Sequence, residues 1–137
     1  MKERIEDKVS EIEKYLEELV NDVPESFEEY LNSSTIKAAC ERHAEKIISA
    51  IFDLAFLFAR HKEFETPRDE AGIFNVLASR NIITSELAER LSDAKGMRNV
   101  LAHEYGEVDD SIVFHAISEE LIKDTEEFIK NIVASLD

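Results

Sequence analysis

The stretch from Thr35 to about Lys62 is apolar on two sides of one helix: Ile36, Cys40, Ile47, Ile51, Leu54 and Phe58 mark one face, and Ile48, Phe52, Ala55 and Phe56 mark another. A helix with two apolar faces has to be covered on both, which implies two packing partners. Two sources of cover are open. The chain's own helices can supply both faces, or a second copy can take one of them, which the surplus apolar width in so small a bundle favours.

The flanking segments have the right pattern to provide cover. Ile5, Val9, Ile12, Leu16 and Leu19 recur at helical spacing between Glu and Lys residues, which predicts an amphipathic helix from about Lys2 to Val20. Asn21-Asp22-Val23-Pro24 stops it, a short helical piece follows with Phe27, Tyr30 and Leu31, and Asn32-Ser33-Ser34 forms a capping cluster before the long apolar helix. After a break at Glu65-Thr66-Pro67-Arg68-Asp69, Asp69 is placed to cap a shorter helix with Ile73, Phe74, Val76 and Leu77. Another helix starts at Thr84 or Ser85, carries Leu87, Leu91, Ala94, Val100 and Leu101 toward Tyr105, and is closed by Gly106. Gly96 inside it suggests a kink or a close backbone approach. The last helix is expected from about Asp110 to Leu136, with Val113, Ile117, Leu121, Phe128, Ile132 and Leu136 on its buried side.

These elements predict an all-α chain: an up-and-down bundle of about four or five helices, folded as one domain over residues 1–137. With only three Gly and two Pro in 137 residues there is little to interrupt helices, and no repeat or strand-like alternation competes. The longest strongly apolar run, Ile47 to Ala59, is interrupted by Asp53 and is shorter than the roughly 20 residues that span a bilayer. A lone cysteine, Cys40, makes no internal disulfide, and no apolar run follows a basic start, so a cytoplasmic compartment with no membrane association is expected. Cys40 reads as a small buried apolar residue.

The formal net charge of −15 repels polyanions on average, which argues against broad RNA coating but leaves room for one local cationic site. His43, His61 and His115 do not form a metal set; His115 with Glu119 one turn on is a spacing common in acidic helices. No metal and no cofactor are expected.

Chemistry concentrates in Arg98-Asn99-Val100-Leu101-Ala102-His103-Glu104-Tyr105. Arginine offers a planar fork of donors for phosphate, histidine moves protons near neutral pH, and tyrosine carries a modifiable hydroxyl. On an ideal helix Arg98 and His103 stand about 140° apart, whereas Asn99 and His103 are only about 40° apart. Three arrangements bring the first pair together: a distortion near Gly96, a long arginine reaching round, or a composite site shared with a second subunit. Asn99 can orient the imidazole or bind a phosphate oxygen.

The segment resembles the Arg-x4-His-x-Tyr signature of the HepT-like toxins, a branch of the HEPN superfamily. Gly96-Met97 before it and Glu107-Val108-Asp109-Asp110 after it are similar to the family's pattern, as is the helix around Glu41-Arg42-His43-Ala44-Glu45 with Asp53 and Leu54 beyond. The resemblance implies a dimeric HEPN bundle with two Arg/His pairs in a cleft between subunits, acting as a metal-independent ribonuclease toxin of a type II toxin-antitoxin pair. In that scheme His103 is general base or acid at the ribose 2′-hydroxyl and Arg98 stabilises charge growing on the phosphate, the two catalytic residues. Asn99 and Arg42 are the candidate substrate-binding residues, although Arg42 also reads as an ion-pair residue beside Glu41, Glu45 and Lys46. The resemblance further implies an MNT-type nucleotidyltransferase antitoxin that transfers AMP to Tyr105 and so blocks the cleft. Two other readings stay open. The chain is a non-catalytic accessory or binding subunit of a nucleotidyltransferase, which the net charge favours, or it is a plain helical interaction protein whose motif packs an interface.

Overall fold

The computed structural model describes residues 1–103 and 109–136; Tyr105, Gly106 and the side chain of His103 lie outside the described residues. Among the described residues every regular element is helical. The order is α1 (Lys2–Asp22), α2 (Phe27–Asn32), α3 (Ser34–His61), a 3-10 turn (Glu70–Gly72), α4 (Ile73–Ser79), α5 (Ser85–His103), and then α6 (Asp110–His115), a π turn (Ala116–Leu121) and α7 (Ile122–Ala134).

Local side chains set most of the starts. Ser26 Oγ accepts from the Glu29 amide at 3.2 Å, Ser33 Oγ from Ile36 at 3.2 Å, and Thr84 Oγ1 from Leu87 at 3.1 Å, each satisfying an N–H that the first helical turn leaves without a partner. Asp109 Oδ1 does the same for α6, taking the Ser111 and Ile112 amides at 3.0 and 3.3 Å. Asp69 caps the 3-10 turn through the Ala71 amide at 3.4 Å. Helix α1 ends where the Val23 amide closes on the Leu19 carbonyl at 2.8 Å, just before Pro24.

Helix α3 is the axis of the molecule. It packs along α1 and also meets α2, α4, α5 and the π turn. Both of its apolar faces are covered by the chain itself: Cys40, Ile47, Ile51, Leu54 and Phe58 are buried, as are Ile48, Phe52 and Ala55, while Ile36 and Phe56 are half-buried. The surplus apolar width therefore calls for no second copy. Phe74 of α4 meets Phe52 of α3 edge-on with ring centres 4.8 Å apart, and Phe128 of α7 at 5.6 Å, so one aromatic chain ties three elements together. At the other end, Tyr30 of α2 lies 5.0 Å from Phe114 of α6.

Two expectations are corrected. Helix α5 runs unbroken through Gly96, and a Cβ placed there would meet nothing within 4 Å, so this glycine marks no close approach. The last helix is not a uniform α-helix either. It takes a π turn over Ala116–Leu121, beside which the Ser118 hydroxyl donates to the Phe114 carbonyl at 2.7 Å. Among the described residues no helix is long and apolar enough to cross a membrane.

Candidate functional site

Helix α5 carries the motif and is anchored by Leu87, Ala88, Leu91 and Leu101, all buried. One of its edges is fastened to the turn that precedes α4. Ser92 Oγ sits 2.7 Å from the Ala88 carbonyl and 3.2 Å from that of Ala71, Lys95 Nζ donates to Asp69 Oδ1 at 3.0 Å, and Arg98 Nη1 donates to Glu70 Oε1 at 3.0 Å. Steps of three residues keep these side chains on neighbouring turns of one helix edge. The Lys95 ammonium holds the Asp69 carboxyl below the usual carboxylate range, helped by the Ala71 amide. The turn itself is tight: a Cβ on Gly72 would stand 3.1 Å from Cβ of Pro67.

Arg98 is gripped on two sides. Beyond the Glu70 carboxylate, its guanidinium lies over the Phe52 ring at 5.2 Å from the centroid, and its side chain is 20% exposed. Phe52 is immobilised by burial and by Phe74. Glu70, 37% exposed at its side chain, is a residue that sequence reading missed. It is 28 positions from Arg98, and no local spacing links a turn residue to a helix residue that far along the chain. The three-residue recurrence of Ser92, Lys95 and Arg98 was visible, but not what lies opposite.

The other predicted site residues fall elsewhere. Asn99 is exposed on α5. Arg42 is 69% exposed on α3 and pairs with Glu45 Oε2 at 3.3 Å, as its neighbourhood in sequence suggested. It stands ten residues from Phe52, about 15 Å along the helix at 1.5 Å per residue, so one chain does not place it beside Arg98. Arg42 and Asp53 instead line a polar cleft of about 220 Å³ between α1 and α3, with Lys8, Tyr15 and Lys46. His115 Nδ1 lies 3.0 Å from Glu119 Oε2 on an exposed surface, and the described residues hold no cluster of metal-ligating side chains.

On the opposite side of α5 an apolar groove of about 470 Å³ opens against α6 and the π turn, walled by Ala94, Met97, Val100, Ile112 and Val113. With α5 unbroken, backbone position 103 is about 140° around the axis from Arg98 and about 60° from Val100. Of the three routes to a joint Arg/His site, the distortion at Gly96 drops out. A guanidinium held between a carboxylate and a ring leaves most of its five donors for other acceptors, which suits an oxyanion.

Comparison with known proteins assigns the chain. The family model of ribonuclease HepT-like proteins matches residues 5–132, from the first core residue of α1 to the last buried turn of α7. The chain belongs to the ribonuclease HepT-like family. Within this HepT-like family it is similar to the mRNA nuclease HepT of Shewanella oneidensis, 30% identical over 100 residues that make up 73% of this chain and 74% of the relative. It is also similar to the tRNA nuclease HepT of Aphanizomenon flos-aquae, 31% identical over 114 residues, 83% of this chain and 78% of that one. Among solved structures, it resembles the tri-AMPylated Shewanella oneidensis HEPN toxin in complex with MNT antitoxin, at 26% identity and a TM-score of 0.87, covering 96% of this chain and 97% of that one. The all-helical HEPN architecture and the ribonuclease class expected from the Arg98 to Tyr105 segment are those of this HepT-like family.

Proposed function

We propose that this chain is a metal-independent ribonuclease toxin, one HepT-like domain over residues 1–137 that acts in the cytoplasm as a homodimer. Arg98 carries the reading: a guanidinium fixed at 20% exposure, five residues before His103, in a chain of the ribonuclease HepT-like family. His103 takes the proton of a ribose 2′-hydroxyl, or returns one. As the 2′-oxygen bonds to phosphorus, the bond to the 5′-oxygen breaks and that oxygen leaves with a proton. Arg98 stabilises the charge that builds on the phosphate oxygens, and Asn99 helps to hold the group. An unbroken α5 favours a composite cleft, in which the Arg/His pairs of two subunits face one another. Arg42, too far along α3 to join Arg98 within one chain, contacts RNA outside the reacting centre.

The restraint is an MNT-type nucleotidyltransferase antitoxin. The Tyr105 oxygen attacks the α-phosphorus of ATP, pyrophosphate leaves, and the tyrosine proton passes to a base of the antitoxin. The AMP group then places negative charge and bulk beside Arg98 and His103. The MNT antitoxin bound to the tri-AMPylated Shewanella oneidensis HEPN toxin, and the AMP groups on that toxin, support this assignment.

The formal charge of −15 favours a second reading, a binding subunit of a nucleotidyltransferase with no turnover of its own. Expression in a bacterial host separates the two. Wild type is expected to arrest growth and Arg98→Ala and His103→Ala to relieve the arrest; arrest by all three, or by none, contradicts the nuclease reading. Intact mass after coexpression with the nucleotidyltransferase should rise by one or more AMP units, and the rise should be lost in Tyr105→Phe.

A further inference from the structure

We propose that Glu70 is the positioning residue for Arg98, and that the turn carrying it works as a rigid bracket that aims the guanidinium at a phosphate. The inference rests on the reading that Arg98 meets the scissile phosphodiester. A free arginine side chain samples many rotamers, and a donor that must meet developing charge is effective only when it is already aimed. Here one contact, Nη1 to Glu70 Oε1 at 3.0 Å, sets the direction of the fork, and the Phe52 ring supports it from beneath, 5.2 Å from Cζ to the ring centre. The contact is single and not bidentate, so it orients the group while leaving its other donors for an anion.

The bracket cannot swing away easily. Lys95 holds Asp69 and Ser92 reaches the Ala71 carbonyl, so the residues on both sides of Glu70 are fastened to the same helix edge that bears Arg98. Pro67 stands against Gly72 at the far end of the turn, 3.1 Å from where a Cβ would be, so a larger residue there would push the bracket outward. Glu70 itself is 37% exposed and carries none of the buried core, and its substitution therefore acts on Arg98 more than on folding.

RNA cleavage by purified Glu70→Ala and Glu70→Gln, with thermal midpoints to confirm folding, tests the proposal. Glu70→Ala should lower kcat about ten- to a hundred-fold while KM moves little, the signature of a misaimed transition-state donor. Glu70→Gln, which keeps the length and an acceptor oxygen, should recover a large part of the loss. The double variant with Arg98→Ala should be no worse than Arg98→Ala alone. An unchanged or raised kcat, or a lower KM from removing a competitor for the phosphate, overturns the proposal. A second readout is independent of activity: the signal of the Arg98 Nη1–H group that meets Glu70, in a ¹⁵N spectrum of the guanidinium groups, assigned by its loss in Arg98→Lys. It should be shifted and slow to exchange in wild type and should collapse toward the free-arginine position in Glu70→Ala; an identical signal in both overturns the bracket. If wild type cuts no RNA, or Arg98→Ala cuts as well as wild type, the nuclease reading fails, and the spectrum still decides the role of Glu70.

Discussion

Arg90 Nε donates to Asp124 Oδ1 at 3.0 Å, which ties α5 to α7 on the side of the bundle away from the Glu70 turn. The two partners are not equally wet: the Asp124 side chain is 11% exposed and that of Arg90 is 44%. Arg90→Ala leaves the nearly buried carboxylate without its donor, while the exposed arginine itself loses little. We expect a cost of about 1 kcal/mol, discounted for solvent at the arginine, read as a lower midpoint in denaturant. A loss no larger than that of Arg80→Ala, whose pair with Glu65 is open to solvent, contradicts this.

Phe74 is fully buried and meets both Phe52 and Phe128 edge-on. Phe74→Ala removes the middle ring of that chain and leaves a cavity beneath Phe52, the floor of the Arg98 site. The expected destabilisation is about 3–5 kcal/mol by chemical denaturation. A cost under about 1 kcal/mol would mean that the three elements are not joined through this ring.

Cys40 is buried, and burial, with Asp22 and Glu41 nearby, pushes its thiol up to about 11. At about pH 8 roughly one molecule in a thousand carries the reactive thiolate, before access is considered. Labelling by a thiol reagent should therefore be slow in the native state and should follow the unfolding curve as denaturant is added. Rapid native labelling contradicts the placement of Cys40.

Asp69 is held below the ordinary carboxylate range by Lys95 and by the Ala71 amide. A depressed folded value stabilises the fold above the unfolded value, and that contribution is lost as pH falls through the folded one. Between about pH 5 and about pH 3 the thermal midpoint of Asp69→Asn should fall less than that of wild type. Parallel curves would show that the Lys95 contact is not formed in solution.

How much of this was legible in the sequence follows from the range of the interaction concerned. Periodicity read locally marked the buried stripe of α1, the two faces of α3 and the cap residues Ser33 and Thr84, because helical spacing and capping act within a few residues, whereas Asp69 caps the 3-10 turn before α4 and not α4 itself. What lies opposite a face is non-local. The two-faced α3 suggested a second copy, yet α1, α4, α5 and the last helical run cover it within the chain. Glu70 and Phe52 as partners of Arg98 were invisible for the same reason, being brought to it only by packing across 28 and 46 positions of chain. Gly96 misled because a glycine in a helix signals a close approach only when a neighbour is there, and here the space is open. The π turn had no warning in the apolar pattern, since Val113, Ile117 and Leu121 keep a four-residue spacing and all three are buried.

The most direct test of the account is cleavage of RNA by the purified chain in excess EDTA, with wild type, Arg98→Ala and His103→Ala side by side. Wild type should cut, and each variant should lose at least about a hundredfold in rate, the scale set by a missing oxyanion donor or a missing general base. Equal cleavage by all three, or cleavage by wild type that EDTA abolishes, would contradict a metal-independent ribonuclease built on Arg98 and His103.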